Sequence, residues 1–331
     1  MFNPETHKNN ATRTNSTGTI ATLMVTCLIA ITTLAALTSC SPKAEAAKGP
    51  LRLGLMPDAD SLPFMVAREE GLFDKAGLTV ELITFTSAQE RDAALQAGAI
   101  DGTIADILAA AFAVAGGFDV RITSVSDGRY GIAAAPDSGA RGPADLAGKA
   151  MGLSTNTIIQ YSVDMMMSHA GIAMDGYEAS AVPRIPVRME MLLAGQIGGA
   201  GLPEPLLSVA AARGAAIVAT TDDFDIDAGI IMFNKAFIDT RLEDIQSLYQ
   251  VYADAGARIN ADPDSYRAFL VEKASFPEEV RFAFRFVEYR TPRLPEMSQV
   301  EAALDWLRAR DLLSAKLAPA DLLDGRAVAS W

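Results

Sequence analysis

Short apolar segments alternate with helical patterns along most of the chain. Runs such as Leu51–Leu55 and Val120–Val125 are rich in branched aliphatic residues, as buried strands are. Between such runs lie segments that begin at capping residues. Ser87 and Glu90, for example, form a capping box that opens a helix running to Ala97. This alternation predicts an α/β fold with parallel sheets.

The same pattern divides the chain into two lobes. A strand predicted at Tyr130–Ala135 is followed by a Pro- and Gly-rich joint, Pro136–Pro143, after which strands and helices start again. A strand predicted at Gly229–Phe233 would cross back to the first lobe, and the chain beyond it is mostly helical. The predicted domains are a first lobe at residues 50–140, a second lobe at residues 141–225, and a crossover and return to the first lobe at residues 226–331.

The longest apolar run lies near the start of the chain, at residues 20–37. Lys8 and Arg13 precede it, and a basic start followed by an apolar stretch is the order of a secretory signal. Residues 37–40 (Leu-Thr-Ser-Cys) resemble the lipobox of bacterial lipoproteins, in which the cysteine sulfur receives a diacylglyceryl group and cleavage occurs just before it.

The lipobox resemblance implies a signal peptide at residues 1–39. Residues 40–49 would then hold the lipidated Cys40 and a flexible tether. An uncleaved transmembrane anchor is the alternative, because the apolar run is just long enough to span a bilayer.

Removal of the signal changes what the composition implies. The 331-residue chain has a formal charge of −13, and loss of residues 1–39, which carry one net positive charge, leaves −14. The negative net charge of the mature chain argues against binding to nucleic acid or anionic membranes, because both need basic protein surfaces. Cys40 and His169 would be the remaining cysteine and histidine, which excludes an internal disulfide, a cysteine nucleophile and a zinc–cysteine site. We expect no cofactor and no metal.

Several blocks of sequence, taken in order, resemble one protein family. They are residues 51–57 (Leu-Arg-Leu-Gly-Leu-Met-Pro), residues 64–73 and 77–82, Arg91–Asp101, Asp145–Lys149, and the turn Leu202-Pro203-Glu204-Pro205. The set resembles the ABC-importer binding proteins for aliphatic sulfonates, taurine, nitrate and thiamine-pyrimidine precursors. The resemblance implies a type II periplasmic-binding-protein fold, in which two α/β lobes are joined by two crossovers and the ligand lies between them.

The resemblance also implies a function: an exported, lipid-anchored solute-binding component of an ABC importer, facing the periplasm or the cell exterior. Its expected partners are a small-molecule solute, the permease and ATPase subunits, and the membrane through Cys40. We expect a monomer that does not bind nucleic acid.

Two alternatives share this fold: a ligand-sensing domain, and an enzyme similar to pyrimidine-precursor synthases. Such enzymes use a reactive histidine and, in that family, a cysteine cluster. His169, the single histidine of the mature chain, lies at a predicted helix end. We therefore expect a binding protein without catalytic residues.

Ligands of open α/β sheets bind beyond the carboxyl ends of the strands. After the first predicted strand, Asp58 could accept hydrogen bonds from a ligand amine, and Ser61 could cap the helix that begins near Pro63. Asp106 follows the third strand, where it could contact a ligand, cap the next helix, or do both. Tyr130 could cover a ligand with its ring, or be an ordinary half-buried strand residue.

In the second lobe, the most informative cluster is a helix start rich in hydroxyl groups. Ser154, Thr155, Asn156 and Thr157 follow a strand and open a helix, where free backbone N–H groups favour sulfonate, carboxylate or nitrate oxygens. Ordinary capping would need only one of the four. Glu204 is placed at the cleft by the family resemblance, and a role at the helix dipole is the alternative.

The candidate residues suggest a class of ligand. Acids at Asp58, Asp106 and Glu204 opposite the helix start at Ser154 point to a zwitterion or an amino-bearing heterocycle. A taurine-like amino-sulfonate and a thiamine-precursor pyrimidine both stay open. Nitrate alone is disfavoured, because three carboxylates in a closed cleft would repel it. We place no arginine or lysine in the cleft.

Overall fold

The structure, a computed structural model, describes residues 49–224, 226, 229–314 and 316–329. The predicted signal peptide, Cys40 and the tether up to residue 48 lie outside the described residues. From residue 50 onward the chain forms one compact unit that contains two five-stranded sheets. Within the described ranges, no helix is both long enough and apolar enough to cross a membrane.

Ten strands build the two sheets. They are β1 (Leu51–Leu55), β2 (Val80–Thr84), β3 (Gly102–Asp106), β4 (Val120–Val125), β5 (Tyr130–Ala134), β6 (Ala150–Leu153), β7 (Glu178–Ala181), β8 (Gly199–Pro203), β9 (Ala216–Thr220) and β10 (Gly229–Asn234). The first sheet has the order β2-β1-β3-β10-β4 and the second the order β7-β6-β8-β5-β9. We call each sheet with its helices the first and the second lobe.

The sheets are mixed, so the prediction of parallel sheets is wrong in one strand of each. In the first sheet β1 pairs in parallel with β2 and β3, whereas β10 runs antiparallel to β3 and β4. In the second sheet β6 pairs in parallel with β7 and β8, whereas β5 runs antiparallel to β8 and β9. The antiparallel strands are the two that follow a passage from one sheet to the other.

Strand β5 also changes lobe relative to the sequence prediction. The pattern predicts it as the last strand of the first lobe, but it hydrogen bonds within the second sheet. The first passage between sheets therefore lies at residues 126–129, ahead of the Pro- and Gly-rich joint. The second passage lies between β9 and β10. A short apolar run indicates that a strand is buried, but not which sheet it joins.

Twelve α-helices flank the sheets in the described ranges. They are α1 (Leu62–Glu69), α2 (Leu72–Lys75), α3 (Ala88–Gln96), α4 (Ile107–Ala115), α5 (Ile158–His169), α6 (Ile185–Leu193), α7 (Leu206–Ala212), α8 (Lys235–Ala261), α9 (Arg267–Glu272), α10 (Val280–Ala283), α11 (Met297–Ala309) and α12 (Pro319–Leu322). Short 3-10 turns, among them Ala59–Ser61 and Thr221–Asp223, complete the connections.

Local sequence explains where some helices break. The helix predicted to begin near Pro63 ends at Glu69 and a second helix begins at Leu72, because Gly71 between them adopts a left-handed conformation with φ of 63°. The long helix α8 is interrupted at Arg241, where φ is −133°.

The carboxyl-terminal helices return to the first lobe, as the sequence predicts. Helix α8 packs against α1 and α2, and the rings of Phe64 and Tyr252 lie 5.1 Å apart there. Helix α11 packs against α4. The first lobe is therefore built from both ends of the described chain, and the second lobe is inserted between them.

Helix α11 also reaches the second lobe. Asp164 of α5 is buried and accepts hydrogen bonds from Trp306 Nε1 at 2.9 Å and Arg310 Nη1 at 2.8 Å. The Tyr177 hydroxyl donates to the same carboxylate. Because α11 belongs to the first lobe, these bonds hold the lobes together at a distance from the two passages of the chain.

Candidate functional site

A small cavity lies between the two lobes, where strand ends of both sheets meet. Its volume is about 40 Å³, which is room for about three water molecules at 10–15 Å³ each. Its polar lining consists of Asp58, Arg91, Asp106, Tyr130, Ser154 and Thr157, and the remaining lining is mostly apolar. We call this space the inner cavity.

The two acids of the first lobe are placed by the strand ends that precede them. Asp58 follows β1 and caps the 3-10 turn Ala59–Ser61, since its Oδ1 accepts from Ser61 N–H at 3.3 Å and from Ser61 Oγ at 3.0 Å. Asp106 ends β3 and caps α4, since its Oδ1 accepts from Ala109 N–H at 2.8 Å. Capping fixes both carboxylates at the cavity, so the structural and the ligand-facing roles coexist.

Asp106 also contacts the opposite lobe. Its Oδ2 accepts a hydrogen bond of 3.3 Å from the backbone N–H of Ile158, in the first turn of α5. A carboxylate of the first lobe therefore lies at the amino-terminal end of a helix in the second lobe. This is where the sequence predicts a site for an anionic group.

Arg91 is the cavity residue that the sequence prediction missed. It lies on α3, its side chain is 5% exposed, and its Nε donates to Asp92 at 2.9 Å. The expectation of no arginine in the cleft is therefore wrong. An arginine in a polar helix is ordinarily a surface residue, whereas this one is buried and lines the inner cavity.

Burial and charge shift the ionisation of these groups. Burial raises the pKa of Asp58 to about 6, although hydrogen bonds from Ser61 and the charge of Arg91 oppose the rise. Burial likewise raises the pKa of Asp106, against the opposing effect of Arg91. Burial lowers the pKa of Arg91, but the carboxylates of Asp92 and Asp106 more than offset this, so that it is raised overall. Together, Asp58, Arg91 and Asp106 form what we call the first-lobe wall.

The second-lobe wall consists of Ser154, Thr157 and the N–H group of Ile158. Thr157 is the cap of α5: its Oγ1 accepts from Ile159 N–H at 3.2 Å and donates to the Ser154 carbonyl at 2.8 Å. Ser154, Thr157 and Ile158 of this helix start line the inner cavity.

Thr155 and Asn156 lie elsewhere. They are exposed and line a larger outer cavity of about 580 Å³ that adjoins the inner one between α3 and the start of α5. Asn156 has φ of 59° and its N–H donates to Gln160 Oε1 at 2.8 Å, which turns the chain into the helix. Of the four predicted residues, Ser154 and Thr157 therefore line the inner cavity, whereas Thr155 and Asn156 line only the outer one.

A second arginine lies behind the second-lobe wall. Arg188 of α6 is fully buried and donates from Nη1 to Ser154 Oγ at 2.7 Å and to the Val182 carbonyl at 2.8 Å. Burial lowers its pKa to about 9. The sequence prediction did not single it out, because in sequence it is one polar residue in an amphipathic helix.

Tyr130 closes one side of the inner cavity. Its hydroxyl donates to Asp60 Oδ2 at 2.7 Å, across the boundary between β5 of the second lobe and the first lobe. Burial raises the pKa of Tyr130 well above its ordinary value, and the charge of Asp60 adds to this. The hydroxyl therefore stays protonated, and the ring faces the cavity.

Two further predicted site residues, Ser61 and Glu204, do not line the inner cavity. Ser61 is buried behind Asp58, and its side chain makes no capping bond to α1, so the predicted capping role is wrong. The Glu204 carboxylate points into α7, where Ser208 N–H and Oγ donate to it at 3.1 and 2.9 Å. The alternative role at the start of a helix therefore describes Glu204. Its backbone carbonyl accepts from Ala59 N–H at 2.9 Å and links the lobes.

In the residues that the structure describes, no group of three or more His, Cys, Asp or Glu side chains could hold a metal ion. His169 lies at the end of α5, where its ring contacts Phe224.

Comparison with solved structures identifies the fold. The alkanesulfonate-binding protein SsuA from Xanthomonas axonopodis pv. citri bound to MOPS matches with a TM-score of 0.72 and 18% identity, over 85% of this chain and 99% of that one. The periplasmic nitrate-binding protein NrtA from Synechocystis matches with a TM-score of 0.66 and 14% identity, over 81% and 83%. The desulfurization enzyme DSZB matches with a TM-score of 0.59 and 16% identity, over 84% and 97%. The predicted periplasmic-binding-protein fold is confirmed.

Comparison with sequences gives the family. Curated protein sequences return no match to the chain. A family model described as "NMT1/THI5 like" matches residues 58–266, which include both walls of the inner cavity. Because this match covers more than half of the chain, the protein belongs to the NMT1/THI5-like family.

Proposed function

We propose that this protein is the extracytoplasmic solute-binding component of an ABC importer, which captures a small organic solute between its lobes. The observation that carries the proposal is the inner cavity, lined by charged groups of one lobe and by hydroxyl and N–H groups of the other. A ligand that contacts both walls would stabilise the closed arrangement, and hinge motion at the two passages of the chain would open it. The permease and ATPase subunits are the proposed protein partners of a monomer.

The charges of the walls favour a solute with both a cationic and an anionic end. Asp58 and Asp106 outnumber Arg91 on the first-lobe wall, so a ligand amine is attracted there. The N–H and hydroxyl donors of the second-lobe wall suit an oxyanion. A taurine-like amino-sulfonate fits this arrangement, and an aminopyrimidine related to thiamine precursors is the second candidate. Nitrate has no cationic end, so it fits the first-lobe wall less well.

An enzyme on the same scaffold is the alternative, because the desulfurization enzyme DSZB shares the fold. Histidine and cysteine are missing from the described residues that line the inner cavity. Histidine-based chemistry of the pyrimidine-synthase type therefore has no group to perform it there, which favours binding. Recovery of the bound solute unchanged, by mass spectrometry of the released ligand, is the check on this choice.

The proposed location rests on the leader sequence. We propose export and a lipid anchor on Cys40, with residues 41–48 as the tether, because tethering raises the concentration of a receptor near its membrane partner. Metabolic labelling with an alkyne-tagged fatty acid should mark the wild-type protein and not Cys40→Ala. Equal labelling of both would disprove the anchor.

The function is tested by ligand-induced stabilisation. The mature protein is screened against taurine, alkanesulfonates, nitrate and aminopyrimidines, and a true ligand raises the melting temperature with the logarithm of its concentration once that concentration exceeds Kd. Asp58→Asn should weaken binding of an amine-bearing ligand at least tenfold, since it removes the charge that faces the amine. Asp175→Asn is the matched control, because Asp175 is exposed in the second lobe and lines neither cavity. If no compound of the panel stabilises the wild-type protein, the proposal is wrong.

A further inference from the structure

Arg188 is a buried cation without a counter-charge in the described part of the chain. Its side chain is fully buried, and no carboxylate of the described residues lies within ion-pair distance of it. Nε and Nη2 are buried and have no hydrogen-bond partner among those residues. The only cause of its lowered pKa is burial, with no opposing charge. Such a group opposes folding, so its position needs an explanation other than stability.

The hydrogen bonds of Arg188 connect it to the cleft. Nη1 donates to Ser154 Oγ at 2.7 Å, and Ser154 lines both the inner and the outer cavity. Gly152, two residues earlier on β6, makes the approach possible, because a Cβ there would lie 3.0 Å from Arg188 Cγ. The guanidinium is therefore packed directly against the back of the second-lobe wall.

The bond from Arg188 determines what the Ser154 hydroxyl can do. A hydroxyl that accepts from a guanidinium becomes a better donor through its own proton. In the structure that proton is directed at the Pro183 carbonyl over a long distance of 3.3 Å. A stronger acceptor in the cavity, such as a sulfonate or carboxylate oxygen, would compete well for it.

The wall already holds one oxyanion. The Asp106 carboxylate of the opposite lobe accepts from Ile158 N–H at 3.3 Å, next to Thr157 and Ser154. An acidic side chain is thus held at this helix start although it must be buried there, 1% exposed, to reach it. The Ile158 N–H group therefore already donates to a carboxylate oxygen at this helix start, even though burial raises the pKa of Asp106.

We propose that Arg188 is a positioning residue that makes the second-lobe wall selective for the anionic end of the solute, acting through the Ser154 hydroxyl. Its charge is uncompensated inside the protein, so the ligand anion supplies the compensation when the lobes close. The Asp106 carboxylate occupies part of the same wall and gives way to the ligand anion. This inference rests on the proposed function and specifies which residue distinguishes an anion-bearing solute from a neutral one.

The test uses isothermal titration of the mature protein with three probes: taurine, ethanesulfonate and 2-aminoethanol. Arg188→Met keeps most of the side-chain length and removes the charge. We expect at least a tenfold loss of affinity for taurine and ethanesulfonate, and a smaller loss for 2-aminoethanol, which lacks the sulfonate. Arg188→Lys should recover part of the loss. Arg141→Met is the control, since Arg141 is an exposed arginine of the second lobe and should bind as the wild type does.

A double-mutant cycle separates this role from a general effect on folding. Ser154→Ala should weaken taurine binding, and adding Arg188→Met to it should cause little further loss, because one residue acts through the other. Fully additive losses, or wild-type affinity for the sulfonates in Arg188→Met, would refute the role of Arg188 while the proposed function stands. If the wild-type protein binds neither sulfonate, the anion-selective wall is wrong. The ligand screen then decides separately whether another solute preserves the proposed function.

Discussion

Each lobe places one buried arginine at the cleft, Arg91 in the first-lobe wall and Arg188 behind the second-lobe wall, and the two have opposite surroundings. Arg91 of the first-lobe wall lies among Asp58, Asp92 and Asp106, whose charges raise its pKa in spite of burial. Arg188 behind the second-lobe wall has no such neighbours, and burial lowers its pKa to about 9. Carboxylates of the protein balance the charge of Arg91, whereas no carboxylate of the described residues balances the charge of Arg188. The difference shows that a buried arginine can serve either a structural network or a ligand, depending on whether a carboxylate accompanies it.

The largest expected difference comes from making the same substitution at Arg91 and at Arg188. Arg91→Met leaves Asp58 and Asp106 buried without their cation, so the free energy of unfolding at pH 7 should fall by about 3 kcal/mol. Arg188→Met removes a charge that no carboxylate balances, so the free energy of unfolding should change by less than about 1 kcal/mol. Urea unfolding of both variants measures these values. The loss of unfolding free energy in Arg91→Met should be smaller at pH 5, because Asp58, whose pKa burial raises to about 6, is then mostly protonated. Equal losses in the two variants would remove the distinction between the walls.

An effect of at most the same size is expected from pH. The pKa of Asp58 is raised by burial to about 6 from 3.8. Because the folded state then binds the proton more tightly than the unfolded state, protonation of Asp58 favours folding. As the pH rises from about 4 to about 6, this group should therefore lower the stability by up to about 3 kcal/mol.

Asp58→Asn is the comparison for this pH effect. It lacks the titration, whereas both proteins keep that of Asp106, whose pKa is also raised. The difference between the two free-energy curves, measured by urea unfolding between pH 4 and pH 7, isolates Asp58. Parallel curves would show that Asp58 titrates normally and that the first-lobe wall is less buried than the structure indicates.

The smallest effect concerns the helix start of the second-lobe wall. Thr157→Ala removes the cap of α5 and should lower the free energy of unfolding by about 1 kcal/mol. Thr155→Ala, at an exposed position of the outer cavity, should change it by less than about 0.5 kcal/mol. Thermal unfolding of the two variants distinguishes them. A larger loss for Thr155→Ala would mean that the capping assignment is wrong.

Much of the first-lobe wall could be predicted from the sequence. Asp58 and Asp106 each follow an apolar strand and precede a helical segment, and a residue in that place caps the helix at the carboxyl edge of the sheet. Ser154 and Thr157 are found by the same local rule. These predictions depend only on residues close in sequence, which is why the structure brings all four to one cavity.

The rule that polar residues after a strand end lie at the cleft does not find the two arginines, and it misplaces Glu204. Arg91 and Arg188 lie within helices, and their burial depends on which helix face meets the other lobe. Glu204 lies at a strand end as the rule requires, but its carboxylate turns into α7 to accept from Ser208. Whether a polar side chain faces a cleft or a neighbouring helix depends on contacts between distant segments, and a local pattern does not contain them.

The sequence by itself determined the α/β class, the order of most strands and helices, and the cap at Asp106 that ends the third strand. It did so because hydrophobic periodicity and capping are short-range properties. Only the tertiary structure decided that β5 joins the second sheet and that both sheets are mixed. It also decided that carboxylates surround the buried Arg91 but not the buried Arg188. These outcomes depend on hydrogen bonds between strands and on the exclusion of water from the space between lobes. Both arise only when distant parts of the chain are packed together.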